Sequence, residues 1–312
     1  MNYKIKKISG DASFREFYRL KKNNKTSIIV SAKKNKYQNL IVYSVISNIL
    51  NSNKIHAPRL INNHYGNNMI EISDLGDKSF YYSIVSKKNK LNEYKLLIKL
   101  IIKLQKIKIK RIYKLGKFKI KLSKYTSNHL HKESDLFFDW YLKYTLKKKK
   151  TSKIKKLLKT ELNKIYKKLN FKNNTFVHRD FHVSNIMLDK KKLGVIDSQD
   201  AIIGNPLYDV ASLIDDVRIK LSQDLQNNLF EFYYKNSKLK NDFDILSVQR
   251  NLKILGIFVR LSKRDNKLNY LKYLPYTWSL IERRMKNPIF DKLNILFKKH
   301  LPLKKLKKLQ RI

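Results

Sequence analysis

In the string HRDFHVSNIML, Asp180 is followed five residues later by Asn185, after one short apolar run, TFV, and before another, IML. A loop held between two strands can aim the Asp180 carboxylate at an acceptor hydroxyl as a proton acceptor. The Asn185 amide oxygen can reach back to a divalent cation. Seventeen residues past Asp180, LGVIDSQD offers Asp197 as a carboxylate able to bridge a magnesium ion to the β- and γ-phosphates of a nucleotide. Magnesium takes few protein oxygens and many from phosphate and water, so these two ligands suffice. The plain alternative for Asp180 and Asn185 is an Asx turn whose side chains cap backbone, and for Asp197 an ordinary turn. His178 and His182 are expected to fix backbone by hydrogen bonding rather than to bind metal.

The elements that must position these residues fall into two groups. YKIKKI, FREFYRL and TSIIVSA alternate or cluster β-branched and aromatic residues and predict three strands. The Gly-Asp turn SGDAS between the first two is a hairpin signal. NLIVYSVISNIL has helical spacing, and RLINN and NMIEI read as strands before the polar break SDLGDKS. A lobe boundary is placed there, giving lobes 1–73 and 74–312. From Leu91 helices dominate. LNEYKLLIKLIIKLQKI is strongly periodic, roughly 108–130 is expected to be a basic surface loop, and KESDLFFDWYLKYTLKKKK reads as one amphipathic helix. PLYDVASLIDDV, SQDLQNNLFEFYYKN and VQRNLKILGIFVRLSKR are helical by period, Asp215 and Asp216 are expected at an exposed helix end, and LKKLKKLQRI is read as a solvated last helix. The expected fold class is α+β: a small N-terminal antiparallel sheet with one helix and a larger, mainly helical C-terminal lobe.

With 312 residues, 42% hydrophobic and 12% aromatic, the chain can bury a core in each lobe. It has no cysteine, so disulfides, thiolate zinc sites and cysteine nucleophiles are excluded. No leader-like apolar run follows MNYKIKKISG and no run of eighteen uncharged apolar residues occurs, so a cytoplasmic protein with no membrane partner is expected. The net charge of +46 is also the electrostatic signature of nucleic-acid binders. Here, however, the excess is nearly all Lys, is spread along the chain, and accompanies heavy Ile and Asn use. A/T-rich codons explain these together, whereas nucleic-acid recognition favours clustered Arg with its bidentate fork. A nucleic-acid partner is therefore not expected.

The Asp180, Asn185 and Asp197 set resembles the catalytic and metal loops of the protein-kinase-like fold, in the variant of aminoglycoside and choline phosphotransferases, with HxDxxxxN and an IDxxD metal loop. A finer resemblance, spread from about residue 8 to residue 285, is to bacterial cell-wall sugar kinases. It is carried by GDASFREFYRL, EISDLGD, ESDLFFDWYL, HRDFHVSNIM, VIDSQDAIIGNPLYDVASLIDD and QRNLKILGIFVRLSKRDNKLNYL. Those enzymes phosphorylate N-acetylmuramate and N-acetylglucosamine at the anomeric hydroxyl in peptidoglycan recycling.

This resemblance implies ATP and Mg2+ as cofactors and a small-molecule sugar as partner; a monomer is expected. Ser9, Gly10, Asp11, Ala12 and Ser13 would form the phosphate-covering turn, with Arg15 nearby. Glu71, Ser73 and Asp74 would lie in the hinge where backbone meets adenine. Asp180 would be the base, and Asn185 and Asp197 the metal ligands. Asp200 and Asp209 would support the catalytic loop through His178 or Arg179. The sugar would lie against Glu133, Trp140 and Arg260, whose plain alternatives are core packing for the Trp and an ion pair for the other two. Two departures stand out. The helix expected from Lys36 to Asn51 has no Asp or Glu to tether Lys33, which could still touch the α- and β-phosphates, and Ser198 stands where a Phe is usual. Two other readings remain: the same fold with an aminoglycoside, choline-like or other small acceptor, and a non-catalytic kinase-fold module binding RNA or a protein.

Overall fold

A computed structural model of the chain describes residues 3–8, 15–23, 25–33, 37–146, 148–169, 173–190, 192–234 and 239–301. They group into two compact units, Met1–Ser123 with Asn174–Ile203, and Lys124–Asn173 with Gly204–Ile312.

The first unit is built on a five-stranded antiparallel sheet. Strands β1 (Tyr3–Ile8), β2 (Glu16–Lys22), β3 (Lys25–Ser31), β4 (Leu60–His64) and β5 (Met69–Ser73) lie in the order β1-β2-β3-β5-β4. Helix α1 (Tyr37–Ser52) follows β3, one residue from the bounds the sequence predicts. The register pairs Ile28 with Ile72 and Val30 with Ile70, which puts four apolar side chains on one face. Leu40 and Tyr43 of α1 close over them in a buried cluster. Burial of each such side chain contributes about 1.5–3 kcal/mol. The edge strand β1 keeps Lys4, Lys6 and Lys7 exposed, charges that discourage pairing with another chain.

Helix α2 (Phe80–Ile84) and helix α3 (Leu91–Gln105) come next; Tyr94, Leu97, Ile98, Ile101 and Leu104 recur at helical spacing and are fully buried. The expected surface loop over 108–130 instead contains a hairpin, β6 (Tyr113–Leu115) and β7 (Phe118–Ile120), turned at Gly116 in the left-handed region (φ 54°). Two short strands on either side of a Gly-Lys turn were masked by the run of lysines. The unit is completed by β8 (Thr175–Val177), the antiparallel pair β9 (Ile186–Asp189) and β10 (Lys192–Val195), and β11 (Ile202–Gly204), which pairs with β8.

The second unit is helical. The segment read as one amphipathic helix is broken: α4 (Ser127–Leu136) passes into a π-helical stretch, Phe137–Leu142, then a last turn α5 (Lys143–Thr145), and ends at Leu146 in extended backbone before α6 (Lys148–Tyr166). Helices α7 (Leu207–Ile214), α8 (Gln223–Tyr233), α9 (Lys240–Arg264), α10 (Leu274–Arg284) and α11 (Asp291–His300) follow. The start of the π stretch packs closely against α9. A Cβ on Gly256 would fall 2.2 Å from the backbone carbon and oxygen of Leu136 and 2.6 Å from Phe137 N, so the two backbones touch where the helix widens. Trp278 of α10 donates to Tyr141 Oη at 2.6 Å, and its ring meets Phe137 and Phe297 edge-on.

Asp215 and Asp216 correct the sequence reading. They are fully buried rather than at an exposed helix end. Asp215 takes both arms of Arg284, at 2.9 and 2.7 Å, with Gln226 at 2.9 Å and the Ser247 hydroxyl as further donors. Asp216 accepts from the Arg218 backbone at 3.0 Å and its guanidinium at 3.2 Å. A buried carboxylate requires such partners, and distant Arg284 gives no local sequence signal. The terminal LKKLKKLQRI lies outside the described residues.

Candidate active site

The catalytic string runs out of β8 and turns before β9. His178 orders it: Asp180 N donates to its Nδ1 at 3.3 Å, so the proton sits on Nε2, which donates to the Ile196 carbonyl at 3.0 Å. Arg179 adopts a left-handed φ of 73°, which turns the chain so that Asp180 follows with its side chain half exposed. Asn185 closes the loop. Its amide nitrogen donates to the Asp180 carbonyl at 2.9 Å and approaches Asp180 Oδ2 at 3.4 Å, leaving Oδ1 as the atom able to meet a cation. His182 Nε2 lies 3.4 Å from Asp180 Oδ2.

The loop that carries Asp197 is stitched to this turn through backbone, with Ile196 N donating to the Asn185 carbonyl at 3.1 Å. Asp197 then takes a left-handed φ of 59°, uncommon for a residue with a side chain. Its Oδ1 accepts from Arg15 Nη2 at 2.7 Å and Gln199 Nε2 at 3.1 Å. Gln199 also donates to Asp200 Oδ2 at 3.1 Å. Ser198 is buried, in the place where the resemblance leads one to expect a ring. Both loops are fixed from behind: Val195 N donates to the His56 carbonyl at 2.8 Å, and His56 Nε2 pairs with Asp189 at 2.8 Å.

Of the three residues expected at a hinge, Glu71 and Ser73 lie in β5 and Asp74 directly follows it. Glu71 accepts from the Ser27 hydroxyl at 2.6 Å and Asn62 at 2.7 Å, and these bonds hold its carboxyl below the usual range. Ser73 exchanges two bonds with Arg59, both at 2.8 Å. Asp74 receives the Arg19 fork at 2.6 and 3.0 Å; burial works against its charge, but Arg19 and the Gly76 N–H outweigh it and its pKa is lowered. Lys33 is exposed just beyond β3, and its charge acts on Glu16. Ser9, Gly10, Asp11, Ala12 and Ser13 lie outside the described residues.

In the helical unit, Glu133 is buried in a cage of donors: Tyr125 at 2.8 Å, Tyr208 and Gln249 at 3.0 Å, and Lys253 at 3.1 Å. Burial first, then the neighbouring Tyr208 and Glu133, push the Tyr125 phenol well above its ordinary pKa. Trp140, on the π stretch, stacks on Tyr144 with centroids 6.1 Å apart. Arg260 lies about two turns beyond Lys253 on α9, its pKa lowered by burial and by Arg264. Asp209 is buried in the first turn of α7. Sequence reasoning missed Gln199, Tyr208, Gln249 and Lys253. All four lie inside strings that carry the resemblance, DSQD, NPLYDVA and QRNLK, but nothing local in those strings marks the contacts they make.

Two carboxylates and an amide oxygen on two backbone-linked turns, in one unit with a five-stranded antiparallel sheet, match the expected pattern of a kinase-like phosphotransferase. Solved structures agree on the fold. An aminoglycoside phosphotransferase, APH(4)-Ia, superimposes with a TM-score of 0.64 at 11% identity over 90% of this chain and 94% of its own. A choline/ethanolamine kinase family protein from Mesorhizobium loti gives 0.62 at 11% over 95% and 92%. The chain belongs to the phosphotransferase enzyme family, matched over residues 4–240. Among curated relatives, the N-acetylmuramate/N-acetylglucosamine kinase of Pseudomonas aeruginosa is 26% identical over 286 residues, covering 88% of this chain and 81% of that one. The enzyme of the same name from Neisseria meningitidis is 24% identical over 287 residues, 88% and 84%. The expected fold class and phosphotransferase activity are thus borne out.

Proposed function

We propose that the protein is an ATP- and Mg2+-dependent sugar kinase acting on the anomeric hydroxyl of N-acetylmuramate and N-acetylglucosamine. The observation that carries this reading is the likeness to curated kinases of those sugars along 88% of the chain. The braced Asp180 turn supports it from the side of chemistry. In the proposed reaction Asp180 accepts the proton of the sugar hydroxyl as its oxygen bonds to the γ-phosphorus, and the bond to the departing ADP oxygen breaks. A hard cation fits the donors present, the Asp197 carboxylate and the Asn185 amide oxygen, because magnesium takes few protein oxygens and completes its shell with phosphate and water. Such an ion would neutralise charge developing on the transferring phosphoryl group. The protein's own work is alignment: His178 and Asn185 hold the base, and Arg15 and Gln199 hold Asp197.

The lobes proposed are 1–73 for nucleotide, with adenine against backbone of Glu71, Ser73 and Asp74 and Lys33 near the phosphates, and 74–312 for chemistry and sugar. Glu133, Trp140 and Arg260 are proposed to face the sugar, Glu133 acting through the Tyr208 and Lys253 that it holds. A cytoplasmic monomer completes the proposal; no described helix is long and apolar enough to cross a membrane.

The test is ATP consumption against N-acetylmuramate, N-acetylglucosamine, choline and an aminoglycoside, with phosphorus NMR of the product. The expected outcome is turnover of the two amino sugars with an anomeric phosphate signal. Turnover of choline or the aminoglycoside alone, or phosphate at another hydroxyl, overturns it.

A further inference from the structure

The geometry points to Arg15 as the residue that positions the metal loop, replacing the lysine–carboxylate tether that α1 cannot supply. This inference rests on the proposed nucleotide chemistry of Asp197 and adds a task that the sequence did not give Arg15, which there stood only beside the phosphate-covering turn.

Three observations carry it. First, α1 has no acidic residue, and Lys33 is exposed, its charge acting on Glu16 of β2. Second, Arg15, immediately before β2, is almost wholly buried, its side chain 5% exposed, and its guanidinium carbon lies 5.8 Å from the ring centroids of both Phe17 and Tyr43. Tyr43 belongs to α1 and is buried, its phenol pushed far up in pKa by burial. A buried planar cation in contact with two aromatic rings has little freedom to rotate, so the direction of its N–H groups is set by packing. Third, those N–H groups and Gln199 converge on a single carboxylate atom: Nη2 reaches Asp197 Oδ1 at 2.7 Å and Gln199 Nε2 reaches it at 3.1 Å.

The consequence is geometric. With Oδ1 engaged twice, Asp197 presents Oδ2 as its remaining oxygen for a cation, on a side chain still 39% exposed. A left-handed φ of 59° at Asp197 requires that something hold the backbone and side chain there. Arg15 thus links the α1 aromatic slot to the metal ligand, the connection that an acid on the helix would otherwise make through lysine.

The experiment measures Mg2+ dependence of ADP binding by calorimetry and thermal shift, with no sugar present, for the wild type, Arg15→Ala and Arg15→Lys. Arg15→Ala should bind ADP without metal within about twofold of wild type but need about tenfold more Mg2+ for half-saturation. Arg15→Lys, which keeps the charge without the flat fork, should still need about threefold more. It also serves if the alanine variant fails to fold. A second arm compares urea unfolding of Arg15→Ala, Asp197→Ala and the double variant without ligands, and non-additive losses are expected. Unchanged or tighter Mg2+ binding in Arg15→Ala, an equal loss of ADP affinity with and without Mg2+, or additive stabilities would overturn the inference. A wrong acceptor sugar leaves this test untouched, whereas a wild type with no Mg2+-dependent ADP binding removes the kinase reading itself.

Discussion

At the scale of single residues, the loop separates structural from chemical duties. Asp180 is held by its backbone: its N–H meets His178 and its carbonyl meets Asn185 at 2.9 Å, while its carboxylate is half exposed. Asp180→Asn should therefore leave the melting temperature within about a degree of wild type while lowering kcat by about 100- to 10,000-fold, the range of a lost general base. Circular dichroism with steady-state kinetics checks both, and a folded, fully active variant would dismiss Asp180 as the base. The candidate residues could be proposed from sequence because their spacing is local: Asp180, Asn185 and Asp197 lie within eighteen positions. Arg15 was visible only as a neighbour of the phosphate turn. Its contact with Asp197 spans 182 positions, and no local pattern reports a bond at that separation.

At the scale of elements, the sheet and α1 were readable because alternation and helical period dictate them, whereas the π stretch was not; its start packs against a glycine more than a hundred residues away, a contact with no local signal. The weight of that contact can be tested. Gly256→Ala puts a methyl group against the Leu136 carbonyl, with backbone rather than a flexible side chain in the way, and should cost about 1–3 kcal/mol or more. Gly66→Ala is the control: nothing lies within 4 Å of its Cβ, so its effect should stay within about 0.5 kcal/mol. Urea denaturation of the two variants gives the comparison, and equal stabilities would show that the helices do not depend on this close approach. The β5 strand carries a pH-dependent element as well. The Ser27 and Asn62 bonds lower the Glu71 pKa in the folded state, so its contribution is present above the unfolded carboxylate value of about 4.3 and fades as pH falls through the folded value. Glu71→Gln should thus be less stable than wild type near neutrality, and the gap should narrow as pH drops below about 4. A gap that stays constant across that range would remove Glu71 from the acid limb.

At the scale of the whole molecule, charge is the dominant unspent quantity. The chain carries 70 Lys and Arg against 24 Asp and Glu, so even if every acid were paired, 46 cations would face one another across the surface. Added salt acts on two opposed terms. It weakens favourable surface pairs such as Lys7–Glu16, whose side chains are both exposed, and it weakens repulsion among the surplus lysines. The buried Arg284–Asp215 fork is shielded from ions and should hardly respond. Because repelling pairs far outnumber attracting ones, the repulsive term wins, and raising NaCl from about 0.02 M to about 0.3 M should raise the melting temperature by on the order of a few degrees, in step with a Debye length falling from about 20 Å to about 6 Å. Differential scanning calorimetry across that range decides the sign. A melting temperature that falls with salt would mean that the few acids sit in cooperative networks strong enough to outweigh the excess of lysine. The basic surface would then be a selected stabilising feature rather than the by-product of codon usage that the spread of lysine through every segment suggests.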